Sequence, residues 1–322
     1  MEKAPFYADI DEGPAGGAAY WIETSDGLRL RLGLWNGASE ASKGTVLLFP
    51  GRTEYIEKYG RAAGDLAARG YATLAIDWRG QGLAERMVDD ARTGHVHHFT
   101  DYQHDVKAMI AAAEALDLPR PWHLIAHSMG GCIGLRALIE GLPVSSAVFS
   151  APMWGIFLAA PMRAAAWALT WGSSHLGIGH KASPGTNANA YVLVAPFENN
   201  KLTTDRDMYE YMQRHARAYP ALGLGGPSLR WLHEALTETR ILAKHPSPDV
   251  PCLTLLGTNE RIVDVPRVHQ RMARWPGGQL KLVEKAEHEV MMESAEMRAR
   301  IFDQIAQFFD DHASPQDTAK TA

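Results

Sequence analysis

Ile125-Ala126-His127-Ser128-Met129-Gly130-Gly131 follows an apolar run, Trp122 to Ile125, and leads into the helical pattern Cys132-Ile133-Gly134-Leu135-Arg136-Ala137-Leu138-Ile139. Strand, small-x-Ser-x-Gly, helix is the sequence form of a nucleophile elbow, a strained turn that lifts a serine hydroxyl above the end of a sheet. Small residues two before and two after the serine let the strand and helix backbones nearly touch. Ala126 stands where glycine is usual. The same letters fit an ordinary glycine-rich turn, so a catalytic reading needs a base, an acid and an oxyanion hole from the rest of the chain.

Upstream, Tyr20-Trp21-Ile22-Glu23-Thr24 and Leu28 to Trp35 flank Ser25-Asp26-Gly27, a strong signal for an antiparallel hairpin. Thr45 to Phe49 and Ala72 to Ile76 are apolar without alternation, as strands covered on both faces are. Helical periods run from Tyr55 to Arg69, stopping at Gly70, and from Asp101 to Leu116. Downstream of the elbow, Ser146 to Ser150, Pro251 to Gly257 and Gln279 to Val283 read as strands, with helices at Pro266 to Ala273 and Ala295 to Phe309. This alternation with short connections predicts an α/β fold with a mostly parallel sheet and helices on both faces.

The rhythm breaks after Pro152. The apolar stretch Met153 to Gly172, a Gly/Ser/Pro/Asn tract and helical segments at Asp205 to Ala218 and Ser228 to Ala243 intervene before it resumes. An insertion of this length in a compact domain is usually functional. The expected organisation is a flexible lead-in at 1–19, a core of 20–152 and 245–312, an inserted, mainly helical cap at 153–244, and a disordered tail at 313–322.

At 322 residues, with 46% hydrophobic and 21% charged residues, the chain has the make-up of one soluble domain with an insertion. A net charge of −5 leaves no basic footprint for nucleic acid. Cys132 and Cys252 fall in apolar elements and read as core residues. The first residues lack the apolar core of a signal peptide, and Pro161 and Arg163 interrupt the longest apolar stretch, so a cytoplasmic protein without a spanning helix is expected.

A serine needs a base to take its proton. Among fourteen histidines, His288 lies just past the last predicted strand, at the sheet edge where the elbow opens. The acid should follow the preceding strand, where Glu260 and Asp264 both stand. Glu260 is nearer the strand end; Asp264 precedes Val265-Pro266 and has a competing role in starting a helix. Oxyanion donors are expected from the Met129 amide and from the loop after Thr45 to Phe49. Pro50 has no N–H there, which leaves Gly51 or, better placed, Arg52. His95, His97, His98 and His104 match no zinc spacing, and no metal or cofactor is expected. No G-x-G-x-x-G follows the first parallel strand, which argues against a dinucleotide site.

Taken together, these residues resemble the serine-aminopeptidase-like α/β-hydrolases, the group that includes monoacylglycerol lipases and bacterial lysophospholipases. The likeness covers about Tyr20 to Phe309. Pro50-Gly51-Arg52-Thr53-Glu54-Tyr55-Ile56-Glu57-Lys58-Tyr59, Asp77-Trp78-Arg79-Gly80-Gln81-Gly82, Gly94-His95-Val96, Ala151-Pro152-Met153 and Gly225-Gly226-Pro227 are similar to the lysophospholipase branch, as is Ala126. The resemblance implies an α/β-hydrolase fold and ester hydrolysis with Ser128 as nucleophile, His288 as base and Glu260 where most of the family has Asp. It implies a small acyl-ester or single-chain lipid substrate. Read from the residues themselves, Met153, Trp154 and Phe157 of the apolar cap are candidate contacts for that substrate, and the cap is a surface that could touch the inner face of a membrane. An apolar stripe of this kind also fits plain core. The same triad would serve a soluble carboxylesterase, peptidase or lactone hydrolase, and the fold alone a non-catalytic binding module.

Overall fold

A computed structural model describes residues 1–35 and 43–313. The strands are β1 (Lys3–Ala4), β2 (Ala18–Glu23), β3 (Arg29–Trp35), β4 (Gly44–Phe49), β5 (Tyr71–Asp77), β6 (Trp122–His127), β7 (Ser146–Ser150), β8 (Cys252–Gly257) and β9 (Gln279–Val283). The helices are α1 (Ala8–Asp11), α2 (Gly60–Ala67), α3 (Tyr102–Ala115), α4 (Met129–Ile139), α5 (Ala160–His175), α6 (Tyr191–Val194), α7 (Arg206–Ala218), α8 (Leu229–Leu242), α9 (Val265–Met272) and α10 (Ala295–Asp311). One nine-stranded sheet runs β1-β2-β3-β5-β4-β6-β7-β8-β9. Its first three strands pair antiparallel, including β3 on β5, and the remaining six are parallel.

The continuous apolar strands alternate between two cores. Leu47, Phe49, Leu124, Ala126, Ala147 and Phe149 point to the face covered by α3, α4 and α9. Val46, Leu48, Ile125, Val148, Leu253 and Leu255 point to the face covered by α2 and α10. A strand buried on both sides has no polar face to show, which is why its sequence does not alternate. All six parallel strands therefore end at one edge, and the elbow, the loop after β8 and the loop after β9 open there together.

Residues 1–19, expected as a flexible lead-in, make tertiary contacts: β1 pairs with β2, the Asp11 carboxylate accepts Trp35 Nε1–H at 3.1 Å, and Tyr7 stacks on Tyr219 with centroids 3.7 Å apart. These contacts come from residues far along the chain, which local composition does not reveal. The apolar run from Met153 contains the helix α5. Proline lacks the N–H that a helix interior needs, so α5 begins at Ala160 with Pro161 in its first turn. Beyond Ala313, the expected tail lies outside the described residues. Among the described residues, no helix is long and apolar enough to cross a membrane.

Candidate active site

Ser128 sits between β6 and α4 at φ 50°, ψ −115°. A non-glycine residue at positive φ is strained and must be held by its surroundings. Ser128 N–H donates to Ser150 O at 3.0 Å, fixing the turn to β7. A Cβ on Gly130 would lie 2.1 Å from Phe49 O, and one on Gly131 would lie 2.6 Å from Pro152 Cβ, so neither position admits a side chain. Ala126 is tolerated because α4 presents Gly134 opposite it, where even a Cβ would approach to 3.2 Å.

His288 Nε2 lies 2.9 Å from Ser128 Oγ, and His288 Nδ1 lies 2.7 Å from Glu260 Oε2. The other Glu260 oxygen accepts the amides of Ile262 at 2.6 Å and Val263 at 3.0 Å. Burial pushes the Glu260 carboxyl up, but the His288 bond and these amides outweigh it and hold it below its ordinary value. Asp264 is engaged elsewhere: it caps α9 by accepting Arg267 N–H at 3.3 Å and meets Arg163 at 3.1 Å.

The Gly51 amide donates to Glu54 Oε2, which takes it out of contention as an oxyanion donor and leaves the Arg52 amide as the next along that loop. Trp78 Nε1 donates to Pro50 O at 2.9 Å and Gln81 Nε2 to Gly51 O at 3.0 Å, so Asp77-Trp78-Arg79-Gly80-Gln81-Gly82 holds the loop from beneath. The Met129 amide begins α4, where the helix dipole favours negative charge. Of the expected cap contacts, Met153 and Trp154 are buried, with Trp154 Nε1 donating to Gly131 O at 3.1 Å, whereas Phe157 is 61% exposed. In the histidine cluster, His95 Nδ1 meets Ser228 Oγ at 2.9 Å and His104 Nδ1 meets Ser25 Oγ at 2.8 Å.

A buried ionic cluster next to Ser128 and His288 escaped the sequence reading. Lys58 Nζ lies 2.6 Å from both Glu54 Oε1 and Glu289 Oε1. His127 Nδ1 faces Ser150 O at 3.0 Å and His127 Nε2 faces Glu289 Oε2 at 3.2 Å, so both ring nitrogens address acceptors. Burial alone would lower the His127 pKa; the Glu289 and Glu54 carboxylates reverse that and raise it. Glu289 is held well below the usual carboxylate range, burial being outweighed by Lys58 and His127. Ligand atoms of Glu54, His127 and Glu289 come within 4.8 Å of one another, as around a metal ion, but the Lys58 ammonium already supplies the cation. The available signal was positional: His127 precedes Ser128, Glu289 follows His288, and Glu54 and Lys58 lie one helical turn apart beside the oxyanion loop.

A sequence profile for the family described as serine aminopeptidase, S33, matches residues 40–295. The chain belongs to that family. This S33 hydrolase is 33% identical over 289 residues to lysophospholipase L2 of Escherichia coli strain K12, covering 86% of this chain and 83% of that protein. It is 32% identical over 267 residues to the probable lysophospholipase L2 of Haemophilus influenzae, covering 82% and 83%. A soluble variant of monoglyceride lipase from Saccharomyces cerevisiae, solved with a substrate analogue, superposes with a TM-score of 0.70 at 20% identity over 91% of this chain and 95% of its own, which speaks for the shared fold. The chain is a serine ester hydrolase of the α/β-hydrolase fold.

Proposed function

We propose that this S33 hydrolase cleaves the acyl ester of single-chain lipids, lysophospholipids or monoacylglycerols, with Ser128 as nucleophile, His288 as base and Glu260 as the acid that orients it. The observation that carries the reading is the continuous hydrogen-bonded chain from Ser128 Oγ through His288 to Glu260, at 2.9 and 2.7 Å. His288 Nε2 takes the serine proton as Oγ bonds to the acyl carbon, and Glu260 stabilises the imidazolium that forms. The Met129 and Arg52 amides receive the charge on the carbonyl oxygen; one such donor is worth about 3 kcal/mol of barrier. The glycerol-side alcohol leaves with the proton from His288. Water, deprotonated by His288, then attacks the acyl-enzyme and releases the fatty acid.

Residues 153–244 act in this account as a cap that receives the acyl chain. Phe157, Met162 and Trp171 expose 60% or more of their surface on this segment, as a lipid-facing surface would, and the same face suits contact with a membrane surface. A hydrolysis screen over monoacylglycerols, lysophospholipids and p-nitrophenyl esters of increasing chain length tests the reading. Activity that rises with acyl length is expected; a flat profile from acetyl to long-chain esters contradicts it.

A further inference from the structure

The Arg52 side chain does something its backbone does not explain. The residue is half-buried, and its guanidinium places Nη1 and Nη2 at 2.9 and 2.8 Å from a single oxygen, Gly225 O, with the Trp231 ring centroid 5.4 Å away. No described carboxylate pairs with it. Burial lowers its pKa to about 10, with only the Tyr102 hydroxyl acting the other way. Arg31 and Arg79, by contrast, each meet two carboxylates. Arg271 also lacks a carboxylate, but its fork reaches three acceptors, Leu242 O, His245 O and Ser247 Oγ. Arg52 directs one bond from each terminal nitrogen to a single carbonyl, whereas a guanidinium carries five N–H groups in a fork shaped for a planar or tetrahedral anion. A partly buried cation without a counter-ion is unfavourable, so there is a place beside Arg52 for an anion that the described residues do not supply.

That place is one arginine side chain from the Arg52 amide, where the scissile carbonyl sits in the proposed mechanism. In a lysophospholipid the glycerol backbone sets the phosphate a comparable length of chain from the acyl carbonyl. We propose that the Arg52 guanidinium is a subsite for the head-group phosphate of a lysophospholipid, so that one residue addresses the substrate twice: its amide at the carbonyl and its side chain at the phosphate. This rests on the ester-hydrolase reading and narrows its substrate class, because a monoacylglycerol offers no charge to that site. The Trp231 ring lies 5.4 Å from the guanidinium and donates its Nε1–H to the Tyr102 hydroxyl at 3.2 Å, and an apolar wall on that side strengthens charge-assisted bonds to a phosphate.

The test compares kcat/KM for 1-oleoyl lysophosphatidylethanolamine with that for 1-oleoylglycerol in the wild type, Arg52→Met and Arg52→Lys. Any common loss from disturbing the oxyanion loop cancels in the ratio. For a charged hydrogen bond the Arg52→Met ratio should fall ~10- to 100-fold in favour of the glycerol ester, with Arg52→Lys between. An Arg52→Met ratio within twofold of wild type overturns the subsite and leaves Arg52 as a tie between loop and cap through Gly225. A wild type that hydrolyses neither ester overturns the ester-hydrolase reading itself, a result distinct from an unchanged ratio.

Discussion

Glu260 and His288 meet at 2.7 Å although they are carried on separate loops, after β8 and β9, and the Glu260 side chain is fully buried. With two backbone amides on its second oxygen, this carboxylate is fixed before substrate arrives. Glu260→Gln keeps the shape but presents the wrong partner to the Nδ1–H, and kcat should fall ~10³- to 10⁴-fold. Asp264→Ala should instead remove a helix cap, lowering stability by ~1 kcal/mol. Turnover per phosphonate-titrated site, with urea unfolding of both variants, separates the two; a larger loss of turnover in Asp264→Ala would reverse the assignment.

Lys58 neutralises two buried carboxylates, one beside the oxyanion loop and one next in sequence to His288. Removing one member of a buried ion pair strands the other, typically at 3–5 kcal/mol. Lys58→Met strands both Glu54 and Glu289, so its unfolding free energy should drop by at least that order. A variant as stable as wild type in urea would show that the cluster contributes little to holding the two loops.

Asp11 gives a pH-dependent term away from the site. Burial raises its carboxyl from 3.8 to about 6, against the opposing bonds from Trp35 and Gly13, and its Oδ1 has no hydrogen-bond partner. Between those two values the folded protein binds more protons at this residue than the unfolded chain does. Stability from this group is therefore present below the unfolded pKa and is lost as pH rises through about 6. Two pKa units correspond to ~3 kcal/mol. Asp11→Asn keeps an acceptor for Trp35 and removes the buried charge, so it should stabilise the protein at pH 7.5 by up to that amount and much less at pH 4. Equal shifts at both pH values in urea unfolding would contradict this origin.

The parts of this molecule legible in the sequence are those whose physics is local. The elbow shows itself because backbone contact at Gly130 forbids a side chain, and the buried strands because neither face is wet. His288 and Glu260 could be named because parallel strands deliver their following loops to one edge. The choice between Glu260 and Asp264 stayed open, since both sit in one loop and only the fold shows which carboxylate turns inward. Glu54, Lys58, His127 and Glu289 come from three segments separated in the chain, and no spacing rule links them. The ordering of residues 1–19 likewise depends on Trp35 and on Tyr211 and Tyr219, two of them some two hundred positions away.

Ser128 Oγ at 2.9 Å from His288 Nε2 is the contact on which the catalytic account stands. The most direct test is to treat wild type and Ser128→Ala with a fluorescent long-chain phosphonate and to follow hydrolysis of 1-oleoyl lysolipid in the same preparations, with circular dichroism to show both are folded. Wild type should label at one site and turn over, while Ser128→Ala should lose labelling and at least ~10⁴-fold of its activity. Labelling or near wild-type turnover that persists in folded Ser128→Ala would place the nucleophile elsewhere.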